Sequence, residues 1–297
     1  MTLRFTLPFM STPLPTTMLS TRRFLQLAGL TAATLMLAAC GKKEAAPAPT
    51  TAPVASAPAK VYVVGTDAAY APFEIQNEKG EIVGFDIDVV NAIAAKAGIE
   101  VKFVNTPWEG IFNTLQQGDR DMIVSAVTIT DERKQTMDFS EPYFDAAQLI
   151  AVKESSKVAK FADLKKLKVG VQTGTTGDEA VSKLLGKTHT NIKRFESTPL
   201  ALKELEAGGV DAVVADNGVI AHHVANNPGG KFKTVSDPGF VPEQYGIALK
   251  KGNAELLAKV NQGLAAIKAD GSYAQIYARY FGASPAAAAA PAPAASK

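Results

Sequence analysis

The sequence predicts an α/β protein built of two similar lobes with a crevice between them. Three observations carry this. Between residues 60 and 283, short β-branched runs alternate with stretches of helical spacing, as in strands joined by helices over a largely parallel sheet. One piece of that pattern occurs twice, since Leu115-x-x-Gly118-x-x-Asp121-Met122-Ile123-Val124 matches Leu205-x-x-Gly208-x-x-Asp211-Ala212-Val213-Val214. Each copy reads as a helix, a glycine stop and a buried strand that ends at a polar residue. In open α/β sheets ligands sit beyond the carboxyl ends of strands, and the junction of two lobes is a favoured pocket. Polar residues just after those strands are therefore the candidates for a site.

Residues 1–39 read as a signal peptide. Arg22 and Arg23 precede the apolar run Phe24–Ala39, which is shorter than the ~20 residues that a membrane-spanning helix needs. Met18 opens a complete signal of its own and is an alternative start, and the paired arginines also fit a twin-arginine leader. The run closes on Leu37-Ala38-Ala39-Cys40-Gly41, which resembles a bacterial lipobox. That reading makes Cys40 a lipidated mature N-terminus; the alternative is a small apolar residue. Residues 40–59, rich in Ala, Pro and Thr after the cysteine, are expected to form an extended tether. The Ala/Pro run 284–297 is expected to be a disordered tail.

Within residues 60–283, Val61–Val64 is a strand closed by Gly65, and Tyr70–Phe73 is a loop. Glu81–Phe85 is a short strand. Asp86–Ala97 places Ile87, Val90, Ala94 and Ala97 at helical spacing, and Gly98 suits a helix C-terminus. Val101–Val104 is a strand, Gly110–Gln117 a helix and Met122–Val127 a buried strand. In the second half, Val169–Val171 is a strand that runs through Gly174–Gly177 into a helix, Asp178–Leu185. Leu200–Ala207 is a helix and Ala212–Ala215 a strand.

Bulk composition excludes several functions. Of 297 residues, 46% are hydrophobic and 20% charged, which suits a globular domain. Arg4, Arg22 and Arg23 are the only charges in the first 39 residues, so without them the formal net charge of +2 becomes −1. The basicity belongs to the leader, and no nucleic-acid partner is expected. A single cysteine leaves no internal disulfide and no cysteine metal site. His189, His222 and His223 have no partner at metal-ligand spacing and read as solvent-facing. No nucleophile elbow, P-loop or dinucleotide fingerprint is present, so neither a cofactor nor an enzyme is expected.

The polar residues after the strands then carry the chemistry. Thr130 followed by Glu132 and Arg133 reads as a helix start, which places Arg133 one turn in. A guanidinium grips a carboxylate through two parallel hydrogen bonds, so Arg133 is a candidate carboxylate clamp. The alternative is a surface arginine paired with Asp131 or Asp138. Thr173–Gly177, which holds Thr175 and Thr176, opens the next candidate helix N-terminus, an anion-friendly position or an ordinary glycine-rich turn. Asp216 stands at the end of a strand, where it either receives an ammonium group or caps the helix that follows. Asp67 and Tyr70 follow the first strand, and Trp108 follows Pro107. Together they read as a carboxylate beside aromatic faces, a setting that attracts cations; Phe73 reads as core.

At these residues the chain resembles the family 3 extracellular solute-binding proteins, the periplasmic polar amino-acid binders of ABC importers. The matching blocks are Gly65-Thr-Asp-Ala-Ala-Tyr-Ala-Pro-Phe-Glu74, Val83-Gly-Phe-Asp-Ile-Asp88, Pro107-Trp-Glu-Gly-Ile111, Ile129-Thr-Asp-Glu-Arg-Lys134 with Asp138-Phe-Ser140, Gln244-Tyr-Gly-Ile-Ala248 and Asp270-Gly-Ser-Tyr-Ala-Gln-Ile-Tyr277. They run across residues 60–282. The resemblance implies a type II periplasmic-binding-protein fold, with lobe I from residues 60–146 and 243–283 and lobe II from 147–242. Two hinge strands, near Tyr143–Ala147 and Pro242–Gly246, would join them. It further implies that Arg133 holds an α-carboxylate with help from Thr128, Ser125 and the backbone at Ala126 and Thr176. Asp216 would hold the α-ammonium, and Asp67, Tyr70, Trp108 and Gln172 would line the side-chain pocket.

Glutamine binders of this family carry Lys at the position of Gln172 and His at that of Ala215. Both departures leave Asp67 beside two aromatic rings, better suited to a cation. The stretch Gly170–Gly177, with Ile192–Glu196, resembles the arginine/lysine/histidine-binding subgroup. A basic amino acid is therefore expected, arginine first, with glutamine and cystine as alternatives and a cyclohexadienyl dehydratase-like enzyme as a distant one. The expected partner is an inner-membrane ABC permease, and the expected state a monomer.

Overall fold

The computed structural model describes residues 60–282. The signal peptide, Cys40, the tether and the 284–297 tail lie outside the described residues.

The chain opens with β1 (Val61–Thr66), β2 (Ala69–Tyr70), β3 (Glu74–Gln76), β4 (Ile82–Val83), α1 (Phe85–Ala97), β5 (Glu100–Asn105), α2 (Ile111–Gln117) and β6 (Met122–Ile123). Then come α3 (Asp131–Thr136), β7 (Met137–Phe139), β8 (Phe144–Ala146) and β9 (Gln148–Lys153). The second half holds β10 (Val169–Gln172), α4 (Thr176–Leu185), β11 (Ile192–Phe195), α5 (Thr198–Ala207), β12 (Ala212–Asp216), α6 (Asn217–Asn226) and β13 (Phe232–Val235). It closes with β14 (Glu243–Tyr245), β15 (Ala248–Lys250), α7 (Ala254–Ala269) and α8 (Ser272–Phe281).

Two five-stranded sheets result, in the orders β5-β1-β6-β15-β7 and β11-β10-β12-β9-β13. The internal repeat maps onto equal places: α2–β6 and α5–β12 each lead into the middle strand of a sheet. Gly118 and Gly208 end those two helices in the left-handed region, at φ 87° and 84°, where glycine has no Cβ penalty. Strands β1 and β10 pair in parallel with both neighbours, while β15 and β9 pair antiparallel. Each sheet is thus half parallel rather than largely so. The reason is the connection. Strands β6 and β12 run toward the crevice, whereas β9 and β15 enter directly from the hinge and must run away from it.

The hinge is a two-stranded antiparallel ribbon of β8 and β14, in which Glu243 faces Ala146 and Tyr245 faces Phe144. Beyond it, Ile129 donates to Gln244 O and Gly246 donates to Val127 O. This is the two-lobed arrangement with hinge strands that the resemblance implied.

Period-two alternation divides each sheet's side chains between two layers. Met122 and Leu249 pack under α1 and α7 with Val89, Val90, Ile93, Val260 and Leu264. Ile123 and Ala248 point the other way, against Ile111 and Leu115 of α2. In the second sheet Val171 and Val214 meet Val181 of α4, whereas Val213 and Ala215 meet Leu202, Leu205 and Ile220. Burying each such side chain contributes about 1.5–3 kcal/mol.

Several elements depart from expectation. The strand expected over Met122–Val127 pairs only at Met122–Ile123. Val124–Val127 stay buried, but Ala126 adopts φ 45° and turns the chain out of the sheet. The Glu81–Phe85 strand shrinks to Ile82–Val83, because Phe85 already begins α1. Gly84 makes that possible: at φ 141°, a Cβ there would lie 2.1 Å from Phe73 O. His222 and His223 are half-buried rather than solvent-facing, and His189 is exposed.

Candidate ligand-binding site

The elements aim their ends at one place. In α3, Thr130 caps the helix by accepting from Arg133 N at 3.1 Å, worth about 1 kcal/mol. That cap fixes Arg133 at the third helical position, with its guanidinium turned into the crevice. There Nη1 donates to Thr128 O at 2.9 Å, and the group lies 5.3 Å from the ring centres of both Trp108 and Phe112. It does not pair with the acids that sequence offered: Asp138 pairs with Lys251 at 2.9 Å, and Asp131 reaches only Lys134, at 4.0 Å. Burial lowers the pKa of Arg133, yet a guanidinium stays charged.

Helix α4 starts at Thr176 behind Thr175, whose hydroxyl accepts from Asp178 N at 3.2 Å. Gly177 lets this start lie close to the second sheet, since a Cβ there would lie 2.8 Å from Gln148 Oε1 and 3.0 Å from Val214 O. The first N–H groups of the helix have no intrahelical acceptor, and its dipole favours an anion.

Asp216 ends β12 and is buried. It occupies the N-cap position of α6 but makes no capping bond. Instead it accepts from Gln148 Nε2 at 2.6 Å and from Tyr245 Oη at 2.5 Å. Burial, with the Glu243 charge second, pushes its carboxyl up to about 6, against hydrogen bonds from Tyr245, Tyr70 and Gln148. Burial likewise raises the Tyr70 phenol well above its ordinary value, so Tyr70 faces Asp216 as a donor.

Asp67 follows β1. Its Oδ2 accepts two long bonds, from Trp108 N at 3.3 Å and Gln172 Nε2 at 3.4 Å. Burial raises its pKa against those bonds. Gln172 is fixed from behind, because Thr198 N and Oγ1 donate to its Oε1 at 3.2 and 2.9 Å.

All eleven residues singled out from the sequence line one cavity: Asp67, Tyr70, Trp108, Ser125, Ala126, Thr128, Arg133, Gln172, Thr175, Thr176 and Asp216. Both lobes contribute, and they touch across the crevice, from Gln172 to Asp67 and from Arg133 to Gly174 O at 3.5 Å.

A donor inventory defines what the cavity can hold. Ser125 Oγ donates to Glu74 Oε1 at 2.8 Å, and Thr128 Oγ1 donates to Glu243 Oε2 at 2.6 Å. Thr176 Oγ1 donates to the same Oε2 at 2.9 Å, and Thr175 Oγ1 donates to Gln172 O at 2.9 Å. Ala126 N donates to Asp86 Oδ2 at 2.8 Å. Ser125 Oγ, Thr128 Oγ1 and Ala126 N thus donate to the carboxyl groups of Glu74, Glu243 and Asp86, and each hydroxyl keeps a lone pair with which it can accept. Arg133 and the start of α4 are the lining groups suited to an anion. Asp67 and Asp216 are the lining carboxylates, with the Gln172 amide and the Tyr70 phenol as donors beside them.

A model of the bacterial extracellular solute-binding proteins, family 3, matches residues 62–283. The chain belongs to this family. It is 46% identical over 258 residues to the "Probable histidine-binding protein" of Neisseria gonorrhoeae, covering 86% of this chain and 94% of that one. It is 34% identical over 224 residues to the L-arginine-binding protein of Pseudomonas aeruginosa, covering 73% and 86%. Among solved structures, the arginine-, lysine-, histidine-binding protein of Geobacillus stearothermophilus superposes with a TM-score of 0.74 at 47% identity, covering 76% of this chain and 97% of that one.

Four polar residues around this family 3 cavity went unassigned in the sequence reading. Glu243 collects Thr128, Thr176 and Gln148 Nε2, the last at 2.9 Å, and Gln148 bridges it to Asp216. Glu243 lies within one stretch read as a hinge and Gln148 directly follows the other, a signal that sequence offered. Glu74 and Asp86 lie inside the matching blocks, but nothing in their spacing says that they meet.

Proposed function

We infer that this protein is the extracytoplasmic substrate-binding component of an amino-acid ABC transporter, and that its ligand is a free L-amino acid with a cationic side chain. Arginine comes first, then lysine and histidine. The observation that carries this is the charge pattern of the cavity: one guanidinium, Arg133, beside a helix start, and two carboxylates, Asp67 and Asp216. A basic amino acid has the matching groups, one anionic carboxylate and two cationic donors.

In this reading Arg133 and the Thr176 end of α4 hold the α-carboxylate. Asp216 takes the α-ammonium with Thr128 as an added acceptor. Asp67, flanked by Tyr70 and Trp108, receives the side-chain cation. The ligand bridges both lobes only when they are closed, so it shifts the open–closed equilibrium by its differential affinity. Lobe I comprises residues 60–146 and 243–283, and lobe II residues 147–242. The leader exports the chain, Cys40 carries a lipid, and the monomeric closed form presents the ligand to a permease. An enzymatic role is not favoured, as the named relatives are binding proteins and both cavity aspartates are accounted for as cation partners.

Calorimetric titration with L-arginine tests the assignment. The parent should bind near micromolar, about −8 kcal/mol, and Arg133→Ala should bind no amino acid measurably. Equal binding by the variant would remove Arg133 as the carboxylate clamp.

A further inference from the structure

Behind the cavity wall lie two acids that the proposed binding scheme does not use. Glu74, at the start of β3, and Asp86, in the first turn of α1, are both fully buried. Gly84 brings them together, since the tight turn it permits lets Phe85 N and Asp86 N donate to Pro72 O and Phe73 O, each at 3.0 Å. Asp86 Oδ2 accepts from Ala126 N and from Tyr143 Oη, both at 2.8 Å. Glu74 Oε1 accepts from Ser125 Oγ at 2.8 Å. The other two oxygens, Glu74 Oε2 and Asp86 Oδ1, are buried with no partner among the described residues.

Two unpartnered carboxyl oxygens in one dry place call for a shared proton, because adjacent buried carboxylates do not both ionise. The surroundings say which group carries it. Burial pushes Asp86 up to about 6 against the two donors that stabilise its charge, while burial and the neighbouring Asp86 hold Glu74 well above its ordinary value. Glu74 is therefore the neutral member, donating from Oε2 to Asp86 Oδ1 and accepting at Oε1 from Ser125.

That fixes the Ser125 hydroxyl. It has one proton, which points away from the cavity to Glu74, and it accepts from Asp67 N at 3.0 Å. What remains for the cavity is a lone pair. We propose that Glu74 is a specificity-determining positioning residue, which holds Ser125 as an obligate acceptor and thereby favours side chains that only donate over side chains that also present a carbonyl oxygen. An ammonium, guanidinium or imidazolium group satisfies Ser125; a carboxamide turned with its oxygen toward it meets a lone pair.

The proposal rests on the amino-acid reading above, and its test separates the two. The quantity is the ratio of the glutamine to the arginine dissociation constant, by calorimetry on folded, thermally checked protein. Glu74→Leu frees the Ser125 proton and should lower the ratio roughly twofold to tenfold, as expected for one added hydrogen bond to a neutral carbonyl. Glu74→Gln copies a neutral carboxyl, with its oxygen toward Ser125 and its amide toward Asp86, and should keep the parental ratio. In a Ser125→Ala background, Glu74→Leu should change the ratio no further. Equal weakening of both ligands by Glu74→Leu, or a ratio change that persists without the Ser125 hydroxyl, overturns the proposal. If Glu74→Leu does not fold, Glu74→Gln and Ser125→Ala decide: loss of the ratio in the first, or its full retention in the second, overturns it. A parent that binds no amino acid overturns the functional reading and this proposal together.

Discussion

Asp67 is held loosely on purpose-built ground: two bonds of 3.3 and 3.4 Å reach one of its oxygens, and the cavity borders the rest. A carboxylate so placed gains most from a cation that can donate to it directly. Asp67→Asn should therefore weaken arginine and lysine by roughly tenfold to a hundredfold, the range for a hydrogen bond to a charged group, and glutamine by much less. Equal losses, measured by titration, would move the side-chain pocket elsewhere. Residue identities of this kind were legible in the sequence, because Asp67, Arg133 and Asp216 follow strands or open a helix. Their partners were not. That Arg133 lies by Trp108 and Phe112, leaving Asp138 to Lys251, depends on where separate segments meet. The contact of Ser125 with Glu74 was not legible either, because nothing near Ser125 in sequence announces a residue 51 positions away.

Among the elements, the β8–β14 ribbon does most to join the lobes, and Glu243 is its polar centre. One carboxylate oxygen accepts from Thr128 beside the first sheet and from Thr176 beside the second. Opening the crevice separates those two hydroxyls, so the bonds favour closure. Glu243→Ala should weaken every amino acid by about tenfold while leaving their order unchanged, as loss of a charge-assisted bond implies. Solution scattering should show less ligand-induced compaction. Unchanged affinity would mean that the ribbon needs no such latch. Helices capped by Gly98, Thr130, Gly118 and Gly208 were readable because capping is local chemistry. The full Met122–Val127 strand was not, because Val124, Ala126 and Val127 are as apolar as strand core yet the chain bends at Ala126 to meet Asp86, a tertiary contact.

For the molecule as a whole, two half-parallel sheets bring their strand ends and helix starts to a shared crevice, and the charge balance there sets the pH response. Asp216 titrates at about 6, and an α-ammonium favours its ionised form. Affinity should then be full above about pH 6 and fall by up to about tenfold per unit below it, with proton release on binding near pH 6. A flat profile from pH 5 to 7 would exclude Asp216 as the ammonium partner. The two-lobed plan was legible from the repeat, because buried strands after glycine stops follow local rules. The antiparallel half of each sheet was not, since it follows from how the hinge delivers the chain. The central claim, a cavity matched to a cationic amino acid, is tested most directly by a thermal-shift screen of residues 41–283. The ligands are the twenty amino acids plus ornithine, citrulline and cystine, since a ligand of the folded state raises its melting temperature. Dominant shifts with arginine, lysine or histidine are predicted; a dominant shift with glutamine or cystine, or none with any of them, would contradict the account.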